Sequence, residues 1–199
     1  MKQALIIFVR NPVLGKVKTR LAETAGAEQA LHVYRRLLQH TRHITQELDC
    51  DQYVFYADEP DGPDIWDEGT YRKELQQGSG LGERMEHAFT GLFAKGYEAI
   101  IIIGSDCMEL TPVIIMQAFA ALLQHDVVIG PSADGGYYLL GLTRMHSRLF
   151  QNMPWSTGAV LQETLKRCRE AGLQFSLCPL LHDIDDEAGW NRYQMIAAT

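Results

Sequence analysis

No apolar stretch in the chain approaches the roughly 20 residues that a membrane-spanning helix needs, so a soluble globular protein is expected. The first apolar run, ALIIFV at residues 4–9, is too short for the core of a signal peptide and suits a buried strand. Cysteine is scarce. The four, at positions 50, 107, 168 and 178, form no CxxC pair and no zinc spacing, which reads as reduced, structural thiols in a cytoplasmic protein. Positive charge is also in deficit, with 18 Lys and Arg against 25 Asp and Glu and a net charge of −7. That balance argues against broad nucleic-acid binding, which needs many phosphate contacts. There is no GxxxxGK[ST] loop, no GxGxxG after the first apolar run, and no internal repeat, low-complexity tract or linker. Residues 1–199 are therefore read as one domain, long enough to bury a core.

What is present is an alternation of two patterns. The runs at 4–9, 52–57, 99–104, 126–131, 137–142 and 173–178 are short, apolar and bounded by turn residues. Continuous hydrophobicity of this kind marks strands covered on both faces. Between them lie helical stripes over Glu28 to Leu48, residues 81–96, Val113 to Gln124, and Gly158 to Ala171. Thr111-Pro112 supplies a cap and a first-turn proline for the third of these. The class is α/β with a mostly parallel sheet.

In such sheets ligands gather at the carboxyl ends of the strands, and three polar stretches occupy that position. RNPVLGKVKTR follows the first strand, with Lys16, Lys18 and Arg20 on alternate positions. Gly15 permits a close backbone approach, and these cations can neutralise phosphate oxygens or simply solvate a turn. GSDCME (104–109) puts Asp106 just past a buried strand, where a carboxylate suits a hard divalent ion that also holds a phosphate. PSADGG (131–136) offers Asp134, either to orient an acceptor hydroxyl and act as general base or to make an ordinary Asp-Gly turn. Trp155 in MPWSTG is an aromatic plate or a core residue. Near the end, HDIDDEAG (182–189) places Asp183 and Asp185 on one face if extended, or begins an acidic helix.

In this order, FVRNPVLGKVKTRLA, LGERM, IGSDC, GPSADGGYYLLGL, PWSTG and DID resemble the motifs of the DUF2064 family, from residue 4 to about 190. That family belongs to the nucleotide-diphospho-sugar transferase superfamily. The resemblance implies a GT-A-like, Rossmann-like, mostly parallel sheet flanked by helices on both faces. The KTRL element and late DxD are also similar to the phospholactate guanylyltransferases. By resemblance, Arg10, Gly15, Lys16, Lys18 and Arg20 bind the nucleotide phosphates, and Asp106 and Asp185 hold Mg²⁺ or Mn²⁺. Asp106 and Asp134 are the implied catalytic pair, with Gly135, Gly136, Tyr137 and Trp155 on the acceptor side. Two departures stand out: Met108 replaces a common Pro after SDC, and Asp185-Asp186-Glu187-Ala188-Gly189 replaces a common DTPED. The expected function is a metal-dependent transferase joining a nucleotide-activated donor to a small-molecule acceptor. Glycosyl transfer from a nucleotide-diphospho-sugar ranks first, nucleotidyl transfer from a triphosphate with release of pyrophosphate second, and a non-catalytic nucleotide-binding relative third.

Overall fold

Strands form where apolar side chains occupy both faces of the pleat. β1 (Gln3–Val9), β2 (Asp51–Tyr56), β4 (Ala99–Ile103), β5 (Val127–Pro131) and β6 (Tyr137–Leu142) are almost wholly buried. In β1, Leu5 and Ile7 join one cluster while Ala4 and Ile6 join the other, the period-two alternation of a strand covered on both sides. β3 (Tyr71–Leu75) and β7 (Phe175–Leu177) close the two edges of the sheet. The computed structural model describes residues 1–60 and 62–197.

The seven strands run in the order β3-β2-β1-β4-β6-β5-β7. All are parallel except β6, which is antiparallel to both neighbours. All six expected strands are present. β3 escaped sequence reading because its residues, YRKEL, bury only Tyr71. A polar edge strand carries no apolar run to find, and a charged edge resists pairing with other chains.

Helices cover both faces. α2 (Ala27–Thr45) and α4 (Pro112–Ala121) pack Leu37 and Ile115 against one side, joined by Leu21 of α1 (Thr19–Ala25) and Trp190 of α6 (Glu187–Ala197). α3 (Leu81–Ala94) and α5 (Val160–Glu170) pack Phe89 and Leu165 against the other. The expected helices are present, with ends that differ by at most three residues. Thr111 caps α4 as its sequence implied, accepting from the Ile114 N–H at 3.4 Å. α1 was hidden, because its seven residues lie in a stretch that reads as a polar loop.

This topology decides where the polar stretches go. The segments after β1, β4 and β5 all emerge at the carboxyl edge of the sheet. β6 starts from that same edge because it runs backwards, so the β5–β6 connection carrying Asp134 stays there. Gln76 ties the edge together, its side-chain amide donating to the carbonyls of Val9 (3.3 Å) and Phe55 (2.9 Å). Among the described residues the four cysteines are unpaired, and no helix is long and apolar enough to cross a membrane.

Phe89 is fully buried, with Phe150 at 5.8 Å and Phe93 at 6.2 Å between ring centroids. Phe89→Ala is expected to cost about 3–5 kcal/mol. Urea denaturation should show it as a lower midpoint with an unchanged slope; a loss under about 1 kcal/mol would mean this layer does not carry the core.

Candidate active site

The first loop is built from β1 outward. As the chain leaves the sheet, the Tyr34 hydroxyl accepts from the Arg10 N–H (2.8 Å) and donates to the Arg10 carbonyl (3.1 Å). The Asn11 amide donates to the carbonyls of Asp58 (3.3 Å) and Glu59 (2.6 Å), fastening the loop to the β2–β3 connection. A turn closes through the Lys16 N–H and the Val13 carbonyl at 3.0 Å, with Gly15 at φ 75°, where a side chain would be strained. Val17 is buried and plugs the loop onto the core. Lys18 then adopts a left-handed backbone (φ 47°, ψ 50°), uncommon for a residue with a side chain, immediately before α1.

The three alternating cations therefore part company. Lys16 and Arg20 stay exposed, as does Arg10, and none makes an ion pair among the described residues. Lys18 turns inward, its side chain only 6% exposed. Its ammonium lies 2.9 Å from Asp106 Oδ1 and 3.0 Å from Asp185 Oδ1, both carboxylates 42% exposed. Burial opposes the charge on Lys18, but the two carboxylates outweigh it and hold the ammonium above its usual range.

Two loops far apart in sequence meet here. The Ile184 N–H donates to the Asp106 carbonyl at 2.9 Å, clamping the turn after β4 to the HDID segment. Asp183 and Asp185 share that segment. Ser132 Oγ donates to Asp183 Oδ2 at 2.8 Å. Burial, then the negative charge of Asp106, push the Asp183 carboxyl up to about 7, with Asp185 and Asp134 adding to the effect. Asp186 serves a helix instead, since its Oδ1 accepts from the Gly189 N–H at 2.8 Å and caps α6. The acidic start of a helix and the carboxylate pair are thus both present, on adjacent residues. Cys107, beside Asp106, is buried, and burial pushes its thiol up to about 12, away from the thiolate form that a nucleophile uses.

Asp106 Oδ1 and Asp185 Oδ1 converge on one point, which the Lys18 ammonium occupies. Two carboxylate oxygens on partly exposed side chains form the donor set that Mg²⁺ takes when phosphate and water supply its remaining ligands. Among the described residues, no cluster of three or more His, Cys, Asp and Glu could hold a metal by itself. The donor chemistry therefore fits a divalent ion that arrives with a phosphate, and does not fit a permanently caged one.

On the other flank, the exposed Asp134 accepts from the Gly136 N–H at 2.9 Å, so the Asp-Gly turn is real and presents one carboxylate to solvent. Gly135, at φ 89°, leaves no room: a Cβ would lie 2.2 Å from the Gly158 carbonyl oxygen. Tyr137 packs edge-on to Trp155 with centroids 6.3 Å apart, and its hydroxyl lies 4.0 Å from Met85 Sδ. The Trp155 indole N–H donates to the Phe150 carbonyl at 3.3 Å and presses on Gly82 of α3. These two aromatics contact one another and α3. Trp155 borders a recess lined also by Ser79, Gly80, Glu83, Glu86 and Asn152. Sequence reading did not single out Tyr34 or Ser132. Asp183 had its signal in the alternation of HDID, which gave no means of choosing between it and Asp185.

Residues 40–157 match the family described as "uncharacterized protein conserved in bacteria (DUF2064)", and the chain belongs to that family. A crystal structure of a candidate nucleotide-diphospho-sugar transferase from Desulfovibrio desulfuricans G20 is 32% identical, covering 94% of this chain and 84% of that one, with a TM-score of 0.85. The inositol-1-phosphate CTP transferase of T. maritima shares the fold at 12% identity, covering 99% of this chain and 95% of that one, with a TM-score of 0.55. Glucosyl-3-phosphoglycerate synthase of Mycobacterium tuberculosis, solved with Mn²⁺, UDP and glucosyl-3-phosphoglycerate, shares it at 11% identity. That match covers 92% of this chain and 70% of that one, with a TM-score of 0.53. No curated protein matches the chain. The fold is the mostly parallel, GT-A-like sheet.

The carboxyl of Asp183 keeps its proton in the folded state up to about 7, whereas an unfolded Asp loses it near 3.8. The folded state thus binds more protons across that window, and stability from this residue falls as pH rises through it. Asp183→Asn should remove the fall. Relative to the wild type, the variant should gain on the order of 2–4 kcal/mol between pH 4 and pH 8 in denaturant melts. Parallel pH profiles for the two proteins would contradict this.

Proposed function

We propose that this protein is a metal-dependent transferase that uses a nucleotide-activated donor, and that the reaction is glycosyl transfer from a nucleotide-diphospho-sugar. The observation that carries the reading is the convergence of Asp106 Oδ1 and Asp185 Oδ1 on one point at the carboxyl edge of the sheet, beside an exposed basic loop. The likeness to the D. desulfuricans protein supports it.

Each residue has a role in this reading. Lys16, Arg20 and Arg10 bind phosphate oxygens, Arg in bidentate fashion and Lys as a point charge. Gly15 lets the backbone approach them. Asp106 and Asp185 hold Mg²⁺ or Mn²⁺, which supplies a Lewis acid for the negative charge gathering on the leaving diphosphate. Asp134 orients the acceptor hydroxyl and takes its proton. Gly135 and Gly136 keep that turn flat enough for the acceptor to approach, and Tyr137 and Trp155 support its far side. The unpaired thiols fit a cytoplasmic setting.

Nucleotidyl transfer from a triphosphate, releasing pyrophosphate, is the second reading. It is favoured by the number of cations near the first loop, which exceeds what a diphosphate needs.

A thermal-shift panel of nucleoside triphosphates and nucleotide-sugars, with and without Mn²⁺, separates the two. A ligand at about 100 times its dissociation constant adds roughly 2.7 kcal/mol. The expected result is stabilisation by one nucleotide-sugar that requires metal and disappears in Asp106→Asn. A triphosphate preference would move the assignment to nucleotidyl transfer, and no metal-dependent shift with any nucleotide would refute both. Lys16→Ala and Arg20→Ala should each weaken the stabilising nucleotide about tenfold or more, as loss of a charged hydrogen bond does. Unchanged affinity in both would remove the loop from the site.

A further inference from the structure

We infer that the Lys18 ammonium is an exchangeable counter-ion: it fills the carboxylate pair until a phosphate-bearing ligand draws it away and a divalent ion takes its place. This rests on the reading of Asp106 and Asp185 as metal ligands.

The geometry makes the two cations mutually exclusive. The ammonium already lies within 3.0 Å of the same oxygen, Oδ1, on each carboxylate. A divalent ion on those oxygens would stand about 2.0–2.1 Å from each, inside the space the ammonium fills. Nor can both be accommodated by charge alone, since like charges in contact repel strongly where water is scarce, and the Lys18 side chain is almost wholly withdrawn from solvent. The carboxylates themselves remain partly open, so an ion can reach them from outside once the ammonium leaves.

The ammonium needs somewhere to go, and the loop provides one direction. Lys18 lies between Lys16 and Arg20, two exposed cations without ion-pair partners among the described residues. Phosphate oxygens gathered by those two would stand beside the base of the Lys18 side chain and offer its ammonium a replacement anion. Without such an anion, removing Lys18 from the carboxylates strands a buried charge, which is costly. Metal entry and phosphate entry are therefore coupled, and by linkage each must raise the affinity for the other. An outward swing of the side chain about its own bonds needs no change of fold.

Electron paramagnetic resonance of Mn²⁺ reads this directly, with inorganic pyrophosphate as a phosphate probe that carries no base. The wild type should bind Mn²⁺ alone weakly, and at least tenfold more tightly with pyrophosphate present. Lys18→Met should bind Mn²⁺ alone at least tenfold more tightly than the wild type, and gain less from pyrophosphate. Equal affinity of wild type and Lys18→Met for Mn²⁺ alone would overturn the exchange. The wild type provides a test that needs no folded variant: Mn²⁺ binding as tight without pyrophosphate as with it also overturns the exchange. Asp185→Asn separates the exchange from the ligand assignment beneath it. If this variant binds Mn²⁺ with pyrophosphate as the wild type does, the metal ligands are wrongly assigned; if it loses that binding while either of the equalities above holds, only the exchange fails.

Discussion

One ammonium between two carboxylates joins three loops at the carboxyl edge of the sheet. Lys18 comes from the residue before the first helix, Asp106 from the turn after the fourth strand, and Asp185 from the segment before the last helix. The three belong to loops more than 75 residues apart in sequence. A buried ion pair of this kind is a poor source of net stability, because taking the charges from water offsets most of their attraction. Its value lies in specificity: wherever the ammonium is satisfied, the two acidic loops must be in register, and their oxygens must point to one place.

The rest of the architecture serves that convergence. Parallel strands with helical crossovers deliver successive loops to the same edge, and the single reversed strand, β6, keeps the Asp134 turn there as well. Side chains from the core side then aim the loops. Tyr34 fastens the exit from β1, the Ile184 N–H clamps the turn of Asp106, and Ser132 holds Asp183. Gly135 of the DGG turn is required for contact, since a side chain there would meet the backbone of Gly158. The result is an edge with cations on one flank, acids at the centre and an aromatic-bordered recess on the other flank.

Much of this was legible in the chain. Among the described residues, the apolar runs located six of the seven strands because strands buried on both faces must be apolar throughout, and helical stripes located four of the six α-helices. What escaped was polar or short. β3 has one buried residue, α1 has seven residues in a basic stretch, and the HDIDDEAG segment divides its acids among three roles that no periodicity distinguishes. At the candidate site, the sequence pointed to Asp106 by its place after a buried strand, while spacing alone left Asp183 and Asp185 alike and only the family resemblance picked out Asp185. In the fold their partners differ, Ser132 for Asp183 and Lys18 for Asp185.

The sequence by itself determined the class of fold, the edge at which the polar loops gather, and the residues supplied to that edge. These follow from local rules: burial fixes strand pattern, and a parallel sheet fixes where loops emerge. Tertiary structure alone decided how those residues divide their work. Lys16, Lys18 and Arg20 look equivalent as a string of alternate cations, yet a left-handed backbone and a buried Val17 turn one of them toward the acids and leave the others facing solvent. That outcome depends on carboxylates brought from distant positions, and long-range electrostatic pairing leaves no trace in local spacing.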